Sequence, residues 1–285
     1  MPAPPAKTEI SDTYPNPSNA VARTGFGKLW ETLFGTGGLL GGTGNPSDAR
    51  NSLGIGSVFS FRNLLINGNF AINQRAYVSG TNTGGANQYT LDRWRIVTSG
   101  QNATFGAAAP DRTVTFPAGG GEQVIEGAMI VGGVYTLSWI GAATAKVNGV
   151  AITNGGNTSS LAANTNVTIQ FIGAVGLAQF ELGTVATPFE RRHLQTEFDL
   201  CQRYYETGVG ILDGYQLAAN AAAVRIPFKV TKRAVPTLGY SGTSLVNLTT
   251  GDARNPSVDS LTWFAVPTAS AAFVWEGSWT AAAEL

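Results

Sequence analysis

Hydrophobic and polar positions alternate along much of the chain. In residues 63–78, NLLINGNFAINQRAYV, Leu64, Ile66, Phe70 and Ile72 alternate with Asn63, Asn67, Asn69 and Asn73. Period two predicts a strand with one apolar and one amide-rich face. QYTLDRWRIV, RTVTF, QVIEGAMI, VYTLSWIG, TAKVNGVAIT, NVTIQFIG and LAQFELG repeat the signal between residues 88 and 183. Tyr135, Leu137 and Trp139 share parity within one of these, and Asn148-Gly149 between short apolar runs is the hairpin signal with the clearest mechanism. Strands joined by short turns, with no helices between them, predict an antiparallel sandwich or jelly roll.

After residue 193 the period changes. Leu194, Phe198, Cys201 and Tyr205 fall at helical spacing, so LQTEFDLCQRYY predicts a short helix with these residues as its buried stripe. Cys201 on that stripe reads as a small core residue. Strands return in AAVRIPFKVTK, PTLGYSG, SLTWFAV and AAFVWEGSWTA, where Phe273, Trp275 and Trp279 share one face.

Before residue 61 neither period holds. MPAPPAKTEISDTYPNP is proline-rich and reads as extended. Ser18 or Asn19 can cap a helix running to Phe34, with Gly35 as its stop. Gly25 and Gly27 each cost it about 1 kcal/mol relative to alanine. Such a helix is marginal alone, so Tyr14, Val21, Phe26, Leu29, Trp30, Leu33 and Phe34 read as an anchor seeking a partner. Residues 36–60 are glycine-rich, with a short turn of helix through Ala49 and Leu53, and read as a flexible linker or a stalk wound from several chains. The expected organisation is therefore an anchor over 1–35, a stalk over 36–60, a jelly roll over 61–192 and a smaller β domain over 193–285, an all-β protein.

Composition agrees and removes several functions. The 285 residues include 36 glycines and only 13% charged residues. Eighteen basic residues balance eighteen acidic ones, so nothing points to nucleic acid. The amino terminus lacks the basic start and apolar centre of a signal peptide, and no apolar run is long enough to insert in a membrane. One cysteine rules out an intrachain disulfide; with His193 as the one histidine, a multi-histidine metal site within the chain is excluded and a histidine-based triad is not expected. Glu122 and Glu126 are the best carboxylate pair for glycoside hydrolysis. On one strand face they would stand about 13 Å apart, beyond the usual range. The expectation is no enzyme, no cofactor and no metal.

Binding is the remaining chemistry. Saccharides need an aromatic surface beside amides or carboxylates. Tyr77, Asn82, Asn87 and Tyr89 offer this in one loop, and Tyr215, Tyr240 and Trp263 offer it in the C-terminal region. Trp94 shares parity with Ile96 and is expected in the core, while Asp92 beside Arg93 is expected to pair with Arg75 at the sandwich end. Glu181, Glu190, Arg191 and Arg192 are expected to fix a domain or subunit junction. The amide-rich strand faces suit subunit packing or glycans.

NLLINGNFAINQR followed by YTLDRWRI resembles the opening of the jelly-roll domain of many tailed-phage fibre and appendage proteins. Those open with an Asn-Gly-Asp-Phe-like strand, a Trp-Gln-Arg-like triplet and Asp-Arg-Trp. QFELGTVATPFERR leading into EFDLCQRYYE is similar to the passage from such sandwiches into a C-terminal domain, and IPFKVTKRAVPT and GSWTAAAEL look like that domain. YPNPSNAVARTGFGKLWETLFG and NPSDARNSLGIG are similar to virion-attachment and stalk segments. The resemblance implies a homotrimeric virion fibre or spike subunit, made in the bacterial cytoplasm. Residues 1–35 would be held by another virion protein, and the distal β domains would recognise host polysaccharide or lipopolysaccharide. A purely structural head fibre or tail adaptor is the alternative, and a capsule depolymerase is the less favoured third. Asn69 and Ala71 stand where the family often carries calcium-binding carboxylates, and Asn73 stands where its tryptophan would be, so calcium lacks its hard oxygen ligands here.

Overall fold

A computed structural model describes residues 61–107 and 110–285, together with Leu29. Leu29 is helical and exposed; Tyr14, Val21, Phe26, Trp30, Leu33, Phe34 and the stalk over 36–60 lie outside the described residues. The rest is nearly all β, in antiparallel sheets that enclose two apolar cores.

The first core is wrapped by β1 (Gln88–Tyr89), β2 (Arg95–Ile96), β3 (Thr104–Phe105), β4 (Val114–Ile125), β5 (Tyr135–Ile140), β6 (Thr144–Val147), β7 (Val150–Ile152), β8 (Gly156–Asn157) and β9 (Val167–Leu182). The order is β1-β2-β4-β9-β5-β8, with β3 on β4 and the β6–β7 hairpin on β9. The first half of β9 pairs with β4 and β6, and its second half pairs with β5. Gly173 and Leu177, at φ 94° and 45°, interrupt its extended backbone where the partner changes. Asn148 and Gly149 turn the β6–β7 hairpin with φ of 49° and 80°, as a two-residue loop with two positive φ angles requires. Trp94 is fully buried among Phe70, Phe116 and Phe171, with ring centroids 4.9, 5.7 and 6.0 Å away.

The opening stretch is not a strand. Asn67 and Phe70 take φ of 57° and 54°, which breaks any ladder. Its asparagines turn inward instead: Asn63 and Asn67 are buried. The Asn63 side chain accepts from Leu65 N and Phe180 N and donates to Ala178 O. The Asn67 side chain accepts from Ile72 N and donates to Ile72 O and Asp92 O. Gln123 meets both the N–H and the carbonyl of Ile66. An amide carries both a donor and an acceptor, so it can pair backbone groups that an irregular segment leaves unmatched.

α1 (Leu194–Gln202) begins at His193, whose Nδ1 accepts from Gln195 N. Its buried face differs from the expected stripe. Leu194 is 64% exposed and Tyr205 belongs to the next strand, while Glu197, Cys201 and Gln202 are buried. Glu197 faces inward because its carboxylate takes the N–H of Asn67 and pairs with Arg192 at 3.1 Å.

The second core lies between two three-stranded sheets. One is β10 (Tyr205–Gln216), β15 (Ala271–Ala282) and β12 (Thr237–Val246), in the order β10-β15-β12. The other is β11 (Ala222–Pro227), β14 (Ser260–Pro267) and β13 (Leu248–Arg254), in the order β11-β14-β13. Trp263 from one sheet stacks on Trp275 from the other, 4.6 Å between centroids and 6° from parallel. Phe273, Trp275 and Trp279 are buried together on β15, as their spacing predicts. Lys232, also buried, donates to Gln202 O at 2.7 Å and Val230 O at 2.9 Å and pairs with Glu206.

Candidate functional site

The residues singled out around Asp92 form a junction between the two sandwiches. Arg75 does not bond Asp92; it pairs with Glu284 at 2.8 Å and lies 3.6 Å over the ring of Tyr205. Asp92 accepts instead from the N–H and the side-chain amide of Gln74 at 2.5 and 2.7 Å. Burial raises its carboxyl above the ordinary value, opposed by those two hydrogen bonds and by the charge of Arg75. Arg93 is buried beneath Tyr204, bonded to Glu284 and to Val124 O at 2.6 Å. Burial pushes the Tyr204 phenol up to about 12. Sequence alone could not pair these groups, because Glu284 lies 191 and 209 residues beyond its partners Arg93 and Arg75.

Both carboxylates considered for catalysis are held by arginine. Glu122 pairs with Arg95, and Glu126 pairs with Arg203 at 3.1 Å. Glu126 lies beyond Ile125, the last residue of β4, so the two do not belong to one strand.

The proposed aromatic platforms are dispersed. Tyr77 is half-buried, and its hydroxyl accepts from Ala103 N at 3.1 Å. Asn82 is exposed and accepts from the Asn102 amide at 2.7 Å; Asn87 is exposed at a turn with φ of 57°. Tyr89 is committed to the junction, donating to Leu285 O at 2.7 Å with Arg75 against its ring at 5.2 Å. Trp263 is fully buried in the tryptophan stack, which corrects its reading as a solvent-facing residue. Tyr215 and Tyr240 are exposed, but they register against Ala272 and Trp279 of β15. An odd separation of seven places them on opposite faces of the sheet, so they share no platform.

A cleft forms where the opening segment meets the stretch leading into α1. It has a volume of about 390 Å³ and is lined by Asn69, Ala71, Pro110, Phe189, Arg191 and Leu194, together with the more buried Glu190, Arg192 and Glu197. That is within the range of small-ligand sites, about 300–1,000 Å³. A second cavity at the junction, beside Met129 and Tyr204, holds only about 90 Å³.

The cleft walls are fixed by charge pairing. Arg191 grips Asp111 with both terminal nitrogens, at 2.8 and 2.7 Å, and Asn69 donates to the same carboxylate at 3.2 Å. These bonds, Arg191 foremost, hold the Asp111 carboxyl below its ordinary value. Glu190 accepts from Phe61 N and Asn63 N at 2.6 and 2.8 Å, while Arg192 is tied to Glu197 and Leu65 O. Phe189, Pro110 and Leu194 supply apolar surface beside the Asn69 amide and the Arg191 guanidinium. Apolar surface next to oriented hydrogen-bonding groups suits a ligand that is polar at its edges and apolar on its faces.

Of the residues chosen from sequence, Glu190, Arg191 and Arg192 fall here, having been read as junction residues. Phe189, Leu194, Pro110 and Asp111 were not chosen. No periodicity marks Phe189, Pro110 or Asp111, and that of Leu194 pointed to a buried helix stripe; the one available signal is the passage ATPFERR, where an aromatic lies between proline and a run of charges.

No protein-family model matches the chain, and no curated protein matches it. Among solved structures, the native structure of recombinant discoidin II of Dictyostelium discoideum matches 65% of this chain and 83% of its own. The identity is 10% and the TM-score 0.25, a superposition too loose to carry fold or function across.

Proposed function

We propose that the protein is a non-enzymatic appendage subunit of a tailed-phage virion, anchored through residues 1–35, trimeric, and recognising host-surface glycan through its β domains. The cleft at Asn69, Phe189 and Arg191 carries the glycan part of this reading, because it joins an aromatic, an amide and a guanidinium in a volume of ligand size. The virion part rests on the resemblance of the opening, junction and C-terminal motifs to phage fibre proteins. Arginine partners on Glu122 and Glu126 favour binding over hydrolysis.

A purely structural virion subunit is the second reading, favoured by one observation. Val209, Ile211 and Val246 expose apolar side chains on the outer face of the β10-β15-β12 sheet, which suits packing against another subunit. A glycan array probed with the full-length protein separates the two. Saccharide binding lost on Phe189→Ala supports recognition; incorporation into particles with no saccharide bound supports the structural subunit. Light scattering should give about three times the 29.7 kDa chain mass, and a micromolar monomer would remove the trimer.

A further inference from the structure

The charges at the cleft indicate which kind of saccharide it accepts, an inference that rests on the glycan reading above. Arg191 is paired to Asp111 through two hydrogen bonds, and Arg192 is paired to Glu197 at 3.1 Å with Glu190 at 3.6 Å. The Glu190 carboxylate is further occupied by the backbone N–H groups of Phe61 and Asn63. Two guanidinium groups thus face three carboxylates at the site, and each already has its partner.

We infer that the cleft binds a neutral saccharide, not a uronate-, sialate- or phosphate-bearing one. An acidic sugar would have to displace Asp111 from Arg191 to find a cation, leaving a carboxylate facing the bound anion. Two like charges in one site repel, and both arginines among its described lining residues are already paired. The low carboxyl value of Asp111 points the same way, since this group stays ionised across the physiological range. A neutral sugar needs no such exchange. Its ring face can lie on Phe189, and its hydroxyls can meet the Asn69 amide and the outer edge of Arg191 while the Arg191–Asp111 pair stays closed.

The test uses the full-length protein on an array of neutral hexose and N-acetylhexosamine oligosaccharides beside matched uronate-, sialate- and phosphate-bearing ones. Titration calorimetry of the strongest neutral hit follows, at low and high salt. Neutral saccharides should bind with little salt dependence. Phe189→Ala and Asn69→Ala should weaken binding about tenfold or more. Leu194→Glu, on an exposed side chain whose substitution spares the fold, should weaken it as well. Binding confined to acidic glycans and lost at high salt would overturn the neutral assignment while leaving glycan recognition standing. Neutral binding untouched by all three variants would overturn the cleft as the site. Binding to neither class would overturn the functional reading and this inference together.

Discussion

The two sandwiches solve the same packing problem with different materials. The first buries Asn63, Asn67, Asp92, Gln123, Gln179 and Glu181 around an irregular entry segment, and side-chain amides there take the place of a missing strand. The second buries few polar groups, Glu206, Lys232 and Ser260 among them, and fills its centre with stacked tryptophan. That stack needs space, which glycine provides. A Cβ on Gly210 would sit 2.5 Å from Trp263, and one on Gly242 or Gly251 would sit 2.5 or 2.8 Å from Trp275. One region is held by hydrogen bonds to an awkward backbone, the other by close approach of backbone to large rings. Amide wiring tolerates irregular chain, and a cleft opens at its edge; ring-on-glycine packing demands regular strands.

Asn67→Ala should be the most damaging test of this contrast. It removes three hydrogen bonds within the core, and each buried group left unpaired costs about 1–3 kcal/mol. Urea unfolding should show a loss larger than for any single glycine change in the second sandwich. A loss no greater than that of the exposed Asn87→Ala would break the amide account.

Gly210→Ala comes next. Overpacking costs about 1–3 kcal/mol, and the loss should be confined to the second sandwich, read by near-ultraviolet circular dichroism of its tryptophans. An unchanged spectrum and midpoint would show that the Trp263–Trp275 stack can shift and does not depend on glycine.

The smallest effect concerns pH at the cleft edge. The Asp111 carboxyl lies below its ordinary value of 3.8 in the folded chain, so its contribution is present above that value and is lost as pH falls through the lower folded one. Stability and saccharide binding should therefore be flat from neutrality down to about pH 5 as far as this pair is concerned, and should weaken only in stronger acid. Arg191 is more than half exposed, so Arg191→Ala should shift the thermal midpoint little while flattening that acid limb. An acid limb unaltered in Arg191→Ala would separate the pair from the titration.

Much of this was legible in the chain. The Asn148-Gly149 turn, the shared face of Phe273, Trp275 and Trp279, the buried Trp94 and Cys201, and the all-β class all follow from period and turn chemistry, which act over a few residues. The opening segment misled because alternation of apolar and amide residues is the signature of a half-buried strand. The same amides, turned inward, also satisfy a backbone that makes no ladder, and local pattern cannot separate the two. The helix stripe failed for a related reason: Glu197 is polar by type, yet buried by its bonds to Asn67 and Arg192.

The sequence by itself determined the all-β class, the Asn148-Gly149 turn and the inward face of the last strand, because those depend on neighbouring residues and on composition. Tertiary structure alone decided the partners. Arg75 and Arg93 meet Glu284, Glu190 meets Phe61 and Asn63, and Asp111 meets Arg191 across separations of about 80 to 210 residues. A cleft belongs to that second class, since its walls come from segments with no shared period and are joined by the folded path of the chain. Charge pairing across such distances has no local signature, because any arginine can satisfy any carboxylate until topology brings one of them within reach.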